Sequence, residues 1–145
     1  MINYVVDTSV IIQWFHQSGE LHIKEAQKLL DDFRDGRVKI LIPDALALEL
    51  LNVLIKGKSL SVKEAIITLN RLFDMPIEIT EISLPVLEAS SLLMEEYNLA
   101  SYDAYFLALA QYEECKLISD DQKAHGQIKD GSVLMLEDYP IDIPT

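Results

Sequence analysis

The chain has 145 residues, half of them hydrophobic, and a formal net charge of −12. That length and apolar fraction suffice for one domain with a sizeable core, and no stretch approaches the roughly 18 uninterrupted apolar residues of a membrane span. The charge opposes simple attraction to nucleic acid, whose non-specific binding depends on neutralising phosphates with Lys and Arg, so any such role needs a divalent cation or a local basic cluster. Cys115, the single cysteine, excludes an internal disulfide framework. The opening "MINYVVD" lacks the basic region and cleavage site of a signal peptide, so the expectation is a soluble cytoplasmic protein.

"INYVVD" is apolar on consecutive positions, the pattern of a strand covered on both faces in a parallel sheet. Thr8 or Ser9 can cap a helix bearing Val10, Ile11, Trp14 and Phe15, which Gly19 breaks. "LHIKEAQKLLDDFRDG" follows as an amphipathic helix ended by Gly36, and "VKILI" is the second strand. Pro43 stops that strand, and "DALALELLNVLIKG" is a helix closed by Gly57. Ser61 and Glu64 stand at capping-box spacing before a helix running to about Phe73. "IEIT" is a short third strand, and Ser83 with Pro85 opens a helix that Asn98 can terminate. "SYDAYFLALAQYEEC", capped by Ser101, is the next helix; "KLIS" is strand four, "SVLML" a candidate fifth, and the tail "DYPIDIPT" reads as irregular. This alternation predicts a single-domain, three-layer α/β/α fold around a parallel sheet of four to five strands.

In such a sheet, ligands bind outside the carboxyl ends of the strands, where the strand order reverses. Asp7 ends strand one, and Asp120 and Asp121 end strand four, although acids also favour such turns as helix caps. Glu49 shares a helical face with Leu46 and Val53, and Asn52 lies on the same face. An unpaired carboxylate there costs several kcal/mol, on the order of charged-group transfer penalties, unless a cation, a proton or water compensates or the helix turns it to solvent. Asp103 opens its helix among Tyr102, Tyr105 and Phe106; a first-turn acid gains about 0.3–1 kcal/mol from the helix dipole, but burial raises the cost of an idle charge. Gathering Asp7, Glu49, Asp103 and Asp121 without a counterion would force proton uptake. A hard divalent cation resolves this, and all-oxygen ligation suits Mg²⁺ or Mn²⁺ rather than Zn²⁺.

The segments "VVDTSVII", "PDALALELLNVL", "LASYDAYFLALA" and "LISDDQK", in this order, resemble the motifs of the PIN-domain ribonucleases, in particular the VapC-like toxins of type II toxin–antitoxin pairs. The resemblance spans nearly the whole chain. It implies a parallel sheet flanked by helices and metal-dependent endonucleolytic hydrolysis of RNA. It also implies that Asp7, Glu49 and Asp103 hold Mg²⁺ or Mn²⁺, with Asp121 a direct or water-mediated ligand and Asp120 its possible substitute. Ser9 and Ser119 would orient waters or ligands, supported by Asn52. A homodimer and a cognate antitoxin, its tail in a hydrophobic groove, are implied by the same likeness.

Few cations remain to hold RNA: Lys56, Lys58, Lys63, Arg71 and Lys123 are the candidates, each equally readable as solvated surface charge. His16, His22 and His125 show no metal spacing and read as surface or capping residues, and Cys115 as a small buried hydrophobe. Trp14 and Phe15 read as core or dimer contacts, and Glu25, Asp31 and Asp32 as a solvated helix face. No phosphate-binding glycine loop is present, which disfavours nucleotide triphosphatases and dinucleotide enzymes. Two readings compete with the nuclease. One is a non-catalytic PIN-like binding module; the other is a haloacid-dehalogenase-like phosphatase, which normally has a second aspartate where Ser9 stands.

Overall fold

The computed structural model describes residues 1–141. Val5 and Val6 in β1 (Ile2–Val6) are both fully buried, the two-faced burial expected of a central parallel strand. β2 (Val38–Pro43) and β4 (Lys116–Ser119) flank it, β3 (Glu78–Thr80) and β5 (Val133–Met135) form the edges, and the parallel order is β3-β2-β1-β4-β5. The fifth strand is thus present. The chain moves outward from β1 to β3, then crosses back to β4 beside β1, so the strand order reverses between β1 and β4.

Right-handed crossovers put the helices of these two excursions on opposite faces. The first group is α1 (Thr8–Phe15), α2 (Ile23–Arg34), α3 (Ala45–Asn52) and α4 (Val62–Phe73); the second is α5 (Leu84–Tyr97) and α6 (Ser101–Tyr112). α6 packs across β1, β2 and β4 and is covered by α5. Its residues from Ala104 to Ala110 are accordingly all buried. A one-turn helix, α7 (Gln122–His125), joins β4 to β5.

Several helix boundaries differ from the expectation for local reasons. Asp7, not Thr8 or Ser9, caps α1, its carboxylate accepting from the Ser9 backbone N–H at 3.1 Å. α3 ends as an α-helix at Asn52 and continues to Gly57 as a wider π turn. Ser101 lies inside α6, whose cap position is Ala100. Asn98 ends α5 in the left-handed conformation, as its type favours. The Ser61–Glu64 capping box is formed, and Ser61→Ala is expected to cost about 1 kcal/mol in denaturant unfolding, because the Glu64 N–H loses its side-chain acceptor.

Trp14 is core, its indole N–H donating to the Ala26 carbonyl at 2.8 Å. Phe15 packs against the core partly buried and Cys115 is half-buried. Asp32 is not on a solvated face: only 7% exposed, it accepts from Lys28 (2.6 Å), Arg37 (3.2 Å) and the buried Tyr139 hydroxyl (2.5 Å). Arg37 folds back because Gly36, at φ +75°, turns the chain after α2. Tyr139 thereby anchors the start of the tail; residues 142–145 of that segment lie outside the described residues. No helix among the described residues is long and apolar enough to cross a membrane.

Candidate functional site

Asp7 leaves β1 at the strand-order reversal and is 3% exposed. Its Oδ1 accepts from the Ser9 N–H and hydroxyl, and its Oδ2 from the Ser119 hydroxyl at 2.7 Å. Ser9 and Ser119 therefore clamp Asp7 from two neighbouring strand ends. The Ser9 hydroxyl also accepts from the Asp120 N–H at 2.8 Å, which ties the two turns together. Charge-assisted bonds of this kind hold a carboxylate in one orientation.

Asp103 and Glu49 approach the same rim, both partly buried. Burial raises the Glu49 carboxyl above its ordinary range; the adjacent Thr8 lowers it in part, and the charges of Asp7, Asp103 and Asp121 raise it further. Asp103 is likewise raised by burial, lowered in part by His125 and raised by Asp121 and Asp7. Glu49 and Asp103 thus sense the charges of Asp7 and Asp121 across the carboxyl edge of the sheet. Asp121 faces this cluster while capping α7 through Ala124 N–H (3.0 Å). Asp120 turns away, accepting from Gln13 Nε2 at 2.7 Å and meeting His22 Nδ1 at 2.7 Å.

The donor set at this rim has the chemistry of a hard-cation site. All of its side-chain donors are oxygen, and two of its four carboxylates are destabilised as anions. These residues fit such an ion in chemistry and charge. Among the described residues no three acid, histidine or cysteine side chains are yet drawn closely enough to enclose one.

His125 does not sit at the surface: it is fully buried beneath the acids, with Nδ1 2.7 Å from Ser119 Oγ and 3.3 Å from Asp7 Oδ2, and Nε2 2.9 Å from the Asp103 carbonyl. Burial lowers its readiness to hold a proton, but Asp7 and the Asp103 carbonyl outweigh this and raise its pKa above the ordinary histidine value. His22 is half-buried against Asp120. Sequence alone does not single out Thr8, Gln13 and His125. The signals are present all the same: Gln13 interrupts the apolar run "VIIQWF", and His125 stands three residues before the buried Ile128, on an inward-facing turn.

The basic candidates separate cleanly. Lys123 lines a cavity of about 280 Å³ with Asp103, Asp121, Asn98 and Gln127. Lys58 instead bonds the Ser18 carbonyl (2.8 Å) and Glu20 (2.7 Å), a structural tie rather than a solvated surface charge. Arg71 stacks over the Phe15 ring at 5.2 Å, and Lys63 is exposed on the first turn of α4. Lys56 edges an apolar groove of about 750 Å³ with Glu49, Asn52, Leu48, Val53 and Tyr102.

A family model described as "PIN domain" matches residues 4–128. The fold superposes on a toxin–antitoxin complex from Klebsiella pneumoniae with a TM-score of 0.67 at 26% identity, covering 92% of this chain and 97% of that one. It is also similar to VapBC2 from Rickettsia felis bound to a promoter DNA fragment (TM-score 0.67, 15% identity, 92% and 98% covered). A third similar structure is VapC20 of Mycobacterium tuberculosis, a sarcin–ricin loop cleaving toxin (TM-score 0.63, 11% identity, 78% and 85% covered). No curated protein matches the sequence significantly. Together the matched residues, which run from β1 past α7, and the five-stranded parallel sheet show that the chain belongs to the PIN-domain family.

Proposed function

We propose that this single domain is a Mg²⁺- or Mn²⁺-dependent endoribonuclease and the toxin of a toxin–antitoxin pair, acting in the cytoplasm. The observation that carries the reading is the convergence of Asp7, Glu49, Asp103 and Asp121 on one sheet edge, with Glu49 and Asp103 destabilised by burial and by their neighbours' charges. A structural surface gains nothing from such a cluster, whereas a cation site requires it. A divalent ion held there would activate water and neutralise charge developing on a phosphodiester. Asp7, Glu49 and Asp103 are its direct holders in this reading, and Asp121 holds it directly or through water.

The chain's own contribution is orientation. Ser9 and Ser119 fix the Asp7 carboxylate, and Asp120, braced by Gln13 and His22, keeps the β4 turn in place rather than serving as the fourth acid. Lys123 is the cation set to meet an RNA phosphate beside Asp103 and Asp121. Lys123→Ala is therefore expected to raise KM several-fold with little change in kcat, measured on a short RNA at low salt; an unchanged KM would remove Lys123 from the RNA contact. Lys56, Lys63 and Arg71 stay on the exposed surface as secondary contacts, and Lys58 is assigned to structure.

The apolar groove beside Glu49 fits the buried segment of an antitoxin, and Asn52 and Lys56 offer polar contacts at its edge. Toxin–antitoxin complexes among the similar structures support that partner. Exposed Leu84, Leu87 and Leu92 on α5, with Leu48 on α3, support a homodimer. The test is incubation of partner-free protein with a panel of structured RNAs in Mg²⁺ or Mn²⁺, with EDTA in parallel. Cleavage that EDTA abolishes is expected. No cleavage across the panel would favour a non-catalytic binding module.

A further inference from the structure

A fully buried side chain beneath the acid cluster would pack best if it were apolar, and position 125 is a histidine at 0% exposure. Its ring is satisfied by groups from three separate elements. The Asp103 carbonyl can only accept, so Nε2 donates to it across 2.9 Å. On the other side Nδ1 meets Ser119 Oγ at 2.7 Å and Asp7 Oδ2 at 3.3 Å. Ser119 Oγ in turn contacts Asp7 Oδ2 at 2.7 Å and accepts from the Asp121 N–H at 3.1 Å. The imidazole is therefore a rigid spacer between the end of β1, which carries Asp7, and the first turn of α6, which carries Asp103.

We propose that His125 is a positioning residue for the candidate metal site, holding Asp7 through Ser119 and the Asp103 turn through its backbone carbonyl, so that the two carboxylates keep a fixed separation. This rests on the metal-site reading above. Outer-shell partners of metal-holding groups typically change metal affinity or activity by about 10–100-fold when removed, because the ligands lose their orientation rather than their identity. His125 touches no solvent and no substrate, so its effect is transmitted wholly through Asp7, Ser119 and Asp103.

Three variants separate the two nitrogens. His125→Phe keeps the ring volume and removes both polar contacts; His125→Asn puts an amide nitrogen near the Nδ1 position, and His125→Gln puts one near Nε2. Mn²⁺ affinity of the partner-free protein, measured by titration calorimetry, is read beside kcat and KM on one RNA and the melting temperature in EDTA. The Phe variant is expected to bind Mn²⁺ about 10–100-fold more weakly and to lose kcat with KM unchanged, and the Asn and Gln variants, each keeping one of the two contacts, to fall between Phe and wild type. Wild-type Mn²⁺ affinity in a folded Phe variant, or no recovery in either the Asn or the Gln variant, would overturn the proposal. If the Phe variant does not fold, weaker Mn²⁺ binding than wild type in both the Asn and Gln variants supports the proposal, and wild-type affinity in either overturns it. A wild-type protein that binds no Mn²⁺ would overturn the metal reading itself and this inference with it.

Discussion

Asp103→Asn is expected to abolish RNA cleavage, by more than about 100-fold, while raising the melting temperature of the metal-free protein. Asp103 is a partly buried carboxylate whose charge is disfavoured by desolvation and by Asp121 and Asp7, with only His125 opposing. Asparagine keeps the shape and removes the repelled charge, so the metal-free fold gains. The same change removes a proposed ligand, so the melting-temperature increase that Mn²⁺ gives the wild-type protein should largely vanish. Differential scanning calorimetry with EDTA and with Mn²⁺, beside a cleavage time course, reads all three effects. An ordinary structural acid would behave in the opposite way, with a lower melting temperature and intact cleavage.

At the other end of the sheet, Asp32→Ala is expected to destabilise the fold by about 1–3 kcal/mol and to leave kcat unchanged well below the melting temperature. Burial would raise the Asp32 carboxyl, but hydrogen bonds from Lys28, Tyr139 and Arg37 outweigh it and hold the group below the usual carboxylate range. Its loss leaves a buried Tyr139 hydroxyl without its acceptor and weakens the anchoring of the tail. The sign with pH follows. A carboxyl depressed in the folded state stabilises the fold above its unfolded value, and that contribution is lost as pH falls through the depressed folded value. Denaturant unfolding should therefore show the difference between wild type and Asp32→Ala at neutral pH and lose it in strong acid. A difference independent of pH would mean that packing, not charge, sets the effect.

These two acids mark the limits of what the sequence discloses. The β/α alternation and the consecutive apolar positions of "YVV" and "ILI" announce a doubly covered parallel sheet, and the structure has it. Asp7 and the Asp120–Asp121 pair are legible as strand ends, and Glu49 as an acid on an apolar helix face. Which of Asp120 and Asp121 faces the rim is not legible, because adjacent residues of a turn point in different directions and only the Gln13 and His22 contacts reveal that Asp120 turns away. Asp32 looks solvated in a helical wheel because its partners, Arg37 and Tyr139, arrive from beyond the helix. His125 is hidden for the same reason: its three partners come from β1, β4 and α6, and no local pattern encodes their meeting. Lys58 resembles a basic surface residue until the π turn brings it to Glu20.

The most direct measurement of the central claim is the location of bound metal, by paramagnetic broadening of backbone amide resonances during a substoichiometric Mn²⁺ titration of the partner-free protein. A site made by the four rim carboxylates requires that amides around Asp7, Glu49, Asp103 and Asp121 fade first and together, while those around Asp32 and Tyr139 persist. Broadening that begins elsewhere on the acidic surface, or that never saturates, would contradict the claim.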